Sequence, residues 1–145
     1  MAHTITEKCN GCGLCAKLCP VSAITGEVKS MHRINVKRCV DCGVCGKACS
    51  EGAVLNARGQ EVVRIPRQQW PKPVISREAC SACAICVDVC GKHALAISLP
   101  LRPGDLRVYA YLKDEKACVG CAMCAKQCPM EAITMEIAGG EEVPA

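Results

Sequence analysis

Apolar residues along the chain lie in short segments, without the long periodic runs of long helices. Six of these segments predict short strands because they are rich in aliphatic, β-branched or aromatic residues. They are HTIT (3–6), RIN (33–35), VIS (74–76), ALAIS (94–98), VYAYL (108–112) and ITMEI (133–137). No stretch approaches the ~20 apolar residues that cross a bilayer, so the sequence predicts no membrane span.

Between these segments one cysteine pattern, C-x2-C-x2-C-x3-C, occurs four times. The residue after the second cysteine is tiny, and the residue before the third is apolar. An alanine followed by an aliphatic residue stands four positions past the last cysteine. Self-similarity on this scale predicts a repeated structural unit. The four runs contain Cys9, Cys12, Cys15 and Cys19; Cys39, Cys42, Cys45 and Cys49; Cys80, Cys83, Cys86 and Cys90; and Cys118, Cys121, Cys124 and Cys128.

Each run predicts one short helical turn, because its third and fourth cysteines are four residues apart. A lysine stands in this turn in three runs, and Asp88 takes its place in the third run. Pro20 and Pro129 follow the first and last runs, where proline directs the chain away from helix.

Composition points to a metal protein. Cysteine provides 16 of the 145 residues, whereas phenylalanine is absent and the chain has one tryptophan and two tyrosines. Aromatic side chains dominate the energetics of ordinary cores, so bound metal is the expected substitute. The first residues, MAHTITEK, lack the apolar run of a secretory leader. We therefore expect a reducing, cytoplasmic setting, in which thiols bind metals rather than form disulfides.

Three other uses of cysteine fit this pattern less well. Structural zinc takes two separated C-x2-C pairs, a disulfide framework needs an oxidising compartment, and a thioredoxin-type pair needs a βαβ context. Spacings of three and three bring three thiolates to one inorganic core, and tiny residues let backbone N–H groups approach its sulfurs. Hydrogen bonding and solvent exclusion set the potential of an iron–sulfur cluster, which is therefore the favoured occupant.

The runs CNGCGLCAKLCP (9–20) and CVGCAMCAKQCP (118–129) resemble the ligand runs of bacterial-type ferredoxins with two [4Fe–4S] clusters. In that family the fourth cysteine of one run ligates the cluster of the other run. The resemblance covers nearly the whole chain, twice over. Ser50 and Gly91 stand where the family has proline, which puts the local backbone path in question but removes no ligand.

The resemblance implies an α+β fold of two tandem bacterial ferredoxin-like domains, with short antiparallel β-pairs and short helices around four [4Fe–4S] clusters. Because the clusters would form much of the core, loss of metal should mean loss of fold. The implied ligand sets are Cys9, Cys12 and Cys15 with Cys49; Cys39, Cys42 and Cys45 with Cys19; Cys80, Cys83 and Cys86 with Cys128; and Cys118, Cys121 and Cys124 with Cys90.

The spacing of the runs predicts how they pair. The gap between the first and second runs is the shortest, and short loops close most easily. The first run therefore pairs with the second, and the third with the fourth. The predicted organisation is a first domain at 1–63, a basic proline-rich linker at 64–73, a second domain at 74–138 and a flexible tail at 139–145.

The formal net charge of +4 does not predict a nucleic-acid partner. Four thiolates on an oxidised [4Fe–4S] core leave about −2, so four clusters bring the total to roughly −4. The basic residues then offset cluster charge or meet an acidic partner surface.

Several residues carry more than one interpretation. The segment 99–112 is expected to form an extra loop and strand, and is a candidate docking surface. Trp70 is either a partner anchor or a packing residue between the two halves. His93 either tunes a cluster or lies on the surface, and Met123 is interpreted as a packing residue rather than a ligand.

No catalytic motif accompanies the cysteines: a phosphate-binding loop, a dinucleotide fingerprint and a C-x3-C-x2-C run are all absent. One-electron transfer is the chemistry that remains, so we expect no enzyme activity in this chain itself. The resemblance favours a polyferredoxin, the electron-conducting subunit of a hetero-oligomeric oxidoreductase. Its expected partners are a catalytic subunit, of the tungsten or molybdenum aldehyde oxidoreductase type, and a second redox protein. The alternatives are a free soluble carrier and an iron–sulfur scaffold or sensor.

Overall fold

The chain forms two structural units. A computed structural model describes residues 2–137 and 141–143, and its units are Met1–Gln69 and Trp70–Ala145. The boundary falls inside the segment 64–73, where the sequence favours a linker. A 3-10 turn at Arg67–Gln69 precedes the boundary, and the last two residues of the segment belong to a strand of the second unit.

The first unit contains two antiparallel strand pairs and two short helices that contact each other. Its first strand pairs with its last, and the two inner strands pair with each other. An isolated bridge pairs Leu55 with Glu61. The elements are β1 (Thr4–Ile5), α1 (Leu14–Leu18), β2 (Ile24–Thr25), β3 (Arg33–Ile34), α2 (Val44–Ala48) and β4 (Val54–Leu55).

The second unit repeats this order with longer strands. Strand β5 pairs with β8, and β6 pairs with β7. Strand β9 adds to β8, so residues 141–143 form a strand where the sequence favoured a flexible tail. Residues 138–140 and 144–145 lie outside the described residues. The elements are β5 (Lys72–Ile75), α3 (Ile85–Val89), β6 (Leu95–Ile97), β7 (Ala110–Leu112), α4 (Met123–Gln127), β8 (Ile133–Ile137) and β9 (Glu141–Val143).

Cysteine sulfurs and aliphatic side chains share the core of each unit. In the first unit Cys19 and Cys45 are buried with Ile5, Ile24 and Val54. The second unit buries Cys86 and Cys124 with Leu95, Ile133 and Met135. Trp70 is only 3% exposed, so its interpretation as an exposed partner anchor is wrong.

Each run forms one short helix of five residues, as its cysteine spacing predicts. Each begins one residue before the third cysteine and ends one residue before the fourth. The fourth cysteine then adopts an extended conformation with ψ between 97° and 119° in all four runs. Cys49 and Cys90 share this conformation although Ser50 and Gly91 replace proline after them. The backbone path up to the fourth cysteine therefore does not depend on that proline.

No helix in the described part of the chain has the length and hydropathy that a membrane span requires.

Candidate metal centres

Left-handed residues on both sides of the second cysteine shape every run. The residue after it has φ between 63° and 78°, and the residue before it has φ between 55° and 75°. Only glycine adopts this conformation without steric cost, and short side chains tolerate it best. The backbone thus explains the tiny residue after the second cysteine. The eight residues are Gly11, Gly13, Asp41, Gly43, Ala82, Ala84, Gly120 and Ala122.

The residue before the second cysteine is glycine only where another segment crosses it. A β-carbon on Gly11 would lie 2.4 Å from the backbone nitrogen of Ser30. On Gly120 it would lie 2.5 Å from the carbonyl oxygen of Pro71. Asp41 and Ala82 hold the same backbone conformation with a side chain. Gly11 and Gly120 are therefore required by close approach as well as by φ.

The alanine four positions past each run donates a hydrogen bond to sulfur. Its backbone N–H points at Sγ of the fourth cysteine, and its own side chain is at most 3% exposed. The sequence revealed this alanine as part of the repeat without revealing its role. The bonds are Ala23–Cys19 at 3.2 Å, Ala53–Cys49 at 3.5 Å, Ala94–Cys90 at 3.4 Å and Ala132–Cys128 at 3.4 Å.

Two small cavities bring cysteines of different runs together. In the first unit one cavity is lined by the first three cysteines of the second run and the last cysteine of the first run: Cys39, Cys42, Cys45 and Cys19. In the second unit the other cavity is lined by the first three cysteines of the third run and the last cysteine of the fourth run: Cys80, Cys83, Cys86 and Cys128. The remaining lining is mainly aliphatic.

Electrostatic effects between the metal-free thiols also extend from one run to the other. Burial, the largest cause, and the charges of Cys9, Cys12 and Cys49 together raise the pKa of Cys15 to about 11, against the opposing effect of the N–H of Ala16. Cys49 of the second run therefore lies within electrostatic reach of the first run.

The fourth run repeats this relationship. Burial is the largest cause of the raised pKa of Cys121, and the charges of Cys118 and Cys90 add to it. Cys90 of the third run thus lies near the fourth run. Burial also raises the pKa of Cys45 and Cys124 to about 12.

Buried histidines near the ligand loops distinguish the first unit from the second. His3 and His32 are buried, and neither was singled out by the sequence. Their Nε2 atoms lie 3.7 Å and 3.9 Å from the positions that β-carbons on Gly43 and Gly13 would take. Nδ1 of His32 lies 3.1 Å from the carbonyl oxygen of Ser30. Nδ1 of His3 lies 2.7 Å from Oδ1 of Asp41, without the alignment of a hydrogen bond.

In the second unit a small apolar residue takes the place of His32. The ladder pairs Ile24 with Ile34 in the first unit and Leu95 with Leu112 in the second, so Ala110 corresponds to His32. The imidazole of His32 lies over Gly26, where a β-carbon would be 2.7 Å from Cγ. In the second unit Ile97 faces Ala110.

The structure also gives the positions of His93, Met123 and Lys72. His93 is exposed, and Met123 begins helix α4. Lys72, which the sequence assigned to the linker, donates from Nζ to the carbonyl oxygens of Cys118 and Glu115. A cation thus lies next to the backbone of the fourth run.

The donor sets fit iron–sulfur clusters. Among the described residues no three His, Cys, Asp or Glu side chains are close enough to share one metal ion. A single zinc ion needs its thiolates at about 2.3 Å from one point. A [4Fe–4S] cluster takes four separate cysteine thiolates, and N–H donors to sulfur together with an aliphatic lining suit it.

The comparison with protein families agrees with this chemistry. The family model described as 4Fe–4S binding domain matches residues 2–25 and 111–134. This chain is an iron–sulfur protein. It carries four [4Fe–4S] clusters, because all four runs have the spacing of the two matched segments.

One solved structure shows how far the similarity extends. A chain of the formate dehydrogenase–heterodisulfide reductase–formylmethanofuran dehydrogenase complex from Methanospirillum hungatei is similar to this iron–sulfur protein, with 20% identity and a TM-score of 0.45. The alignment covers 99% of this chain and 53% of that chain, so the iron–sulfur protein spans about half of its length. No curated protein matches the sequence.

Proposed function

We propose that this chain is a polyferredoxin, the electron-conducting subunit of a multi-subunit oxidoreductase. The observation that carries the proposal is the repetition of one thiol-lined site in two units of a single chain. One-electron transfer is the chemistry that the clusters supply when bound. The polypeptide itself holds the thiolates, donates N–H groups to their sulfurs and keeps water away with aliphatic side chains. A single carrier needs one or two clusters, whereas four in one chain suit conduction over a longer distance.

We further propose that ligands are exchanged between the runs of each unit. The cavities favour Cys128 as the fourth ligand beside Cys80, Cys83 and Cys86, and Cys19 as the fourth beside the second run. The raised pKa values favour Cys49 for the first run and Cys90 for the fourth. Each unit would then be held together by two metal clusters that both runs share, in a reducing compartment such as the cytoplasm.

The proposed partners follow from this role. A catalytic subunit, with a tungsten or molybdenum enzyme as the first candidate class, would supply or consume electrons at one end. A second redox protein would do so at the other, giving a hetero-oligomer. A freely diffusing carrier is the alternative, and a scaffold or sensor is a third.

Anaerobic purification from the native source tests the proposal. We expect about four iron atoms per cluster, hence about sixteen per chain, full reversible reduction by dithionite, and a stable complex of fixed stoichiometry with a catalytic subunit. An isolated chain with the same iron content would favour the free carrier. Clusters that are lost rather than reduced would favour the sensor.

A further inference from the structure

The connection between β6 and β7 is a longer loop than its counterpart in the first unit. It comprises residues 98–109, here named the loop 98–109, whereas the matching connection is only 26–32. The N–H of Ser98 donates to the carbonyl oxygen of Tyr109 over 2.8 Å. The N–H of Tyr109 donates to Oγ of Ser98 over 3.0 Å. The base of the loop thus continues the strand pair, and its remaining residues project from it.

Three leucines of this loop are almost fully exposed. Leu99, Leu101 and Leu106 are 84%, 80% and 92% exposed, although leucine is among the residues most often buried. Exposed apolar surface concentrated in one place marks interaction sites in proteins. Packing within the unit therefore does not explain why these three leucines lie at the surface.

Positive charge accompanies the leucines. Arg102 and Arg107 are exposed in the same loop, and the carboxylate of Asp105 accepts the N–H of Arg107 over 2.9 Å within the turn. At the base of the loop the guanidinium of Arg77 lies 4.6 Å from the ring centre of Tyr109. An apolar recess rimmed by carboxylates is the partner surface that complements this combination.

The loop leads directly to one of the thiol sites. It ends at the buried Ala110, whose N–H donates to Sγ of Cys80 over 3.4 Å. Ala110 also lines the cavity that contains Cys83 and Cys128. Of the sixteen cysteines only Cys12 and Cys83 are exposed. A protein bound to the loop would thus lie beside a site with a ligand at the surface.

We propose that the loop 98–109 docks an acidic redox-partner protein, which exchanges electrons with this chain at the site of Cys80, Cys83 and Cys128. The inference rests on the proposed function and adds the place of exchange and the chemistry of the partner. Each encounter transfers one electron: one protein is oxidised by one electron and the other reduced by one, with no bond made or broken.

Stopped-flow reduction of the cluster-loaded full chain tests the proposal, with photoreduced flavodoxin as an acidic one-electron donor protein. The loop variant is Leu99→Ser/Leu101→Ser/Leu106→Ser. Its matched control is Val28→Ser/Val36→Ser/Val63→Ser, since these valines of the first unit are 76%, 68% and 77% exposed. We expect the loop variant to lower the second-order rate constant by about tenfold or more, and the control to stay within about twofold of the wild type. Arg102→Gln/Arg107→Gln should weaken the dependence of the rate on salt.

Three results would overturn the proposal. The first is an equal rate constant for the wild type and the loop variant. Failure of flavodoxin to reduce either protein counts as the same result. The second is a dimer in analytical ultracentrifugation that the loop variant dissolves, because the loop would then bind a second copy of this chain. The third is loss, in the loop variant, of binding to vesicles of phosphatidylserine and phosphatidylcholine. Reduction by dithionite distinguishes failure of the docking proposal from failure of the proposed function. Clusters that still reduce reversibly leave the polyferredoxin role intact.

Discussion

The backbone N–H of Ala23 donates to Sγ of Cys19 over a distance of 3.2 Å, and the alanine side chain is almost completely buried. The same pair recurs after every run. A backbone donor cannot be removed by changing the side chain, but a larger side chain can push it away from the sulfur. Alanine is therefore required here for its small volume.

Ala23→Val tests this requirement. Overpacking a tight site costs typically about 1–3 kcal/mol, and the displaced N–H would no longer donate to sulfur. We expect faster loss of visible cluster absorbance on heating and a lower urea midpoint. Ala57→Val is the matched control because Ala57 is exposed in the same unit. Equal effects of the two substitutions would contradict the explanation.

Cys49→Ala tests the exchange of ligands in the first unit. If Cys49 completes the first run, iron falls from about sixteen to about twelve atoms, and Cys9, Cys12 and Cys15 become free. Alkylation under anaerobic conditions followed by mass spectrometry identifies the freed thiols. Cys45→Ala is the control and should free Cys39, Cys42 and Cys19. Freed Cys39 and Cys42 in the Cys49→Ala variant would refute the exchange.

Any fold that the metal-free chain retains should be lost at alkaline pH. Burial raises the pKa of Cys15 to about 11 and of Cys45 and Cys124 to about 12, from an ordinary value of 9.0. The folded state therefore holds its protons more tightly than the unfolded state, and the stability that this supplies is present below pH 9 and lost as pH rises towards 11–12. Circular dichroism of reduced, metal-free chain across this range measures the loss. The loaded chain should resist, because iron takes the place of the protons. The same pH midpoint for both forms would contradict the prediction.

Gly11→Ala should prevent assembly of the site at the first run. The added β-carbon would lie 2.4 Å from the nitrogen of Ser30, at a φ of 75°. Because the neighbour is backbone, it cannot move aside as a side chain would. We expect loss of about four iron atoms per chain. Gly59→Ala is the control, with a φ of 78° and nothing within 4 Å of its β-carbon, and should keep all iron. Full iron in the Gly11→Ala variant would show that the segment 29–30 can shift.

The sequence predicted the strands best where side chains dictate them. Strand β8 (Ile133–Ile137) coincides with its predicted segment, and four of the other five each contain a strand. The fifth, 74–76, overlaps only the end of β5, which begins at Lys72. Strands β2 and β4 were not predicted, because the aliphatic residue that begins each was interpreted only as part of the repeat that follows a run. Each strand begins directly after the alanine that donates to sulfur.

The site was predictable in its chemistry and less so in its surroundings. Cysteine spacing identifies the thiols because iron–sulfur coordination tolerates few alternatives. His3 and His32 lie outside the four-cysteine runs, so the cysteine pattern did not indicate that they are buried beside ligand loops. Trp70 was open to two interpretations because the sequence gives no measure of its burial.

The contact between Gly26 and His32 in one unit, and between Ile97 and Ala110 in the other, limits how parts of this protein can be recombined. In each pair one residue is large and the other is small. The large residue comes second in the first unit (His32) and first in the second unit (Ile97). A histidine grafted alone at position 110 would meet the isoleucine side chain, and an isoleucine grafted alone at position 26 would meet the imidazole ring. The smallest fragment that can be transplanted between the halves is therefore the pair, and chimaeras of this chain should be cut outside the hairpins that join β2 to β3 and β6 to β7.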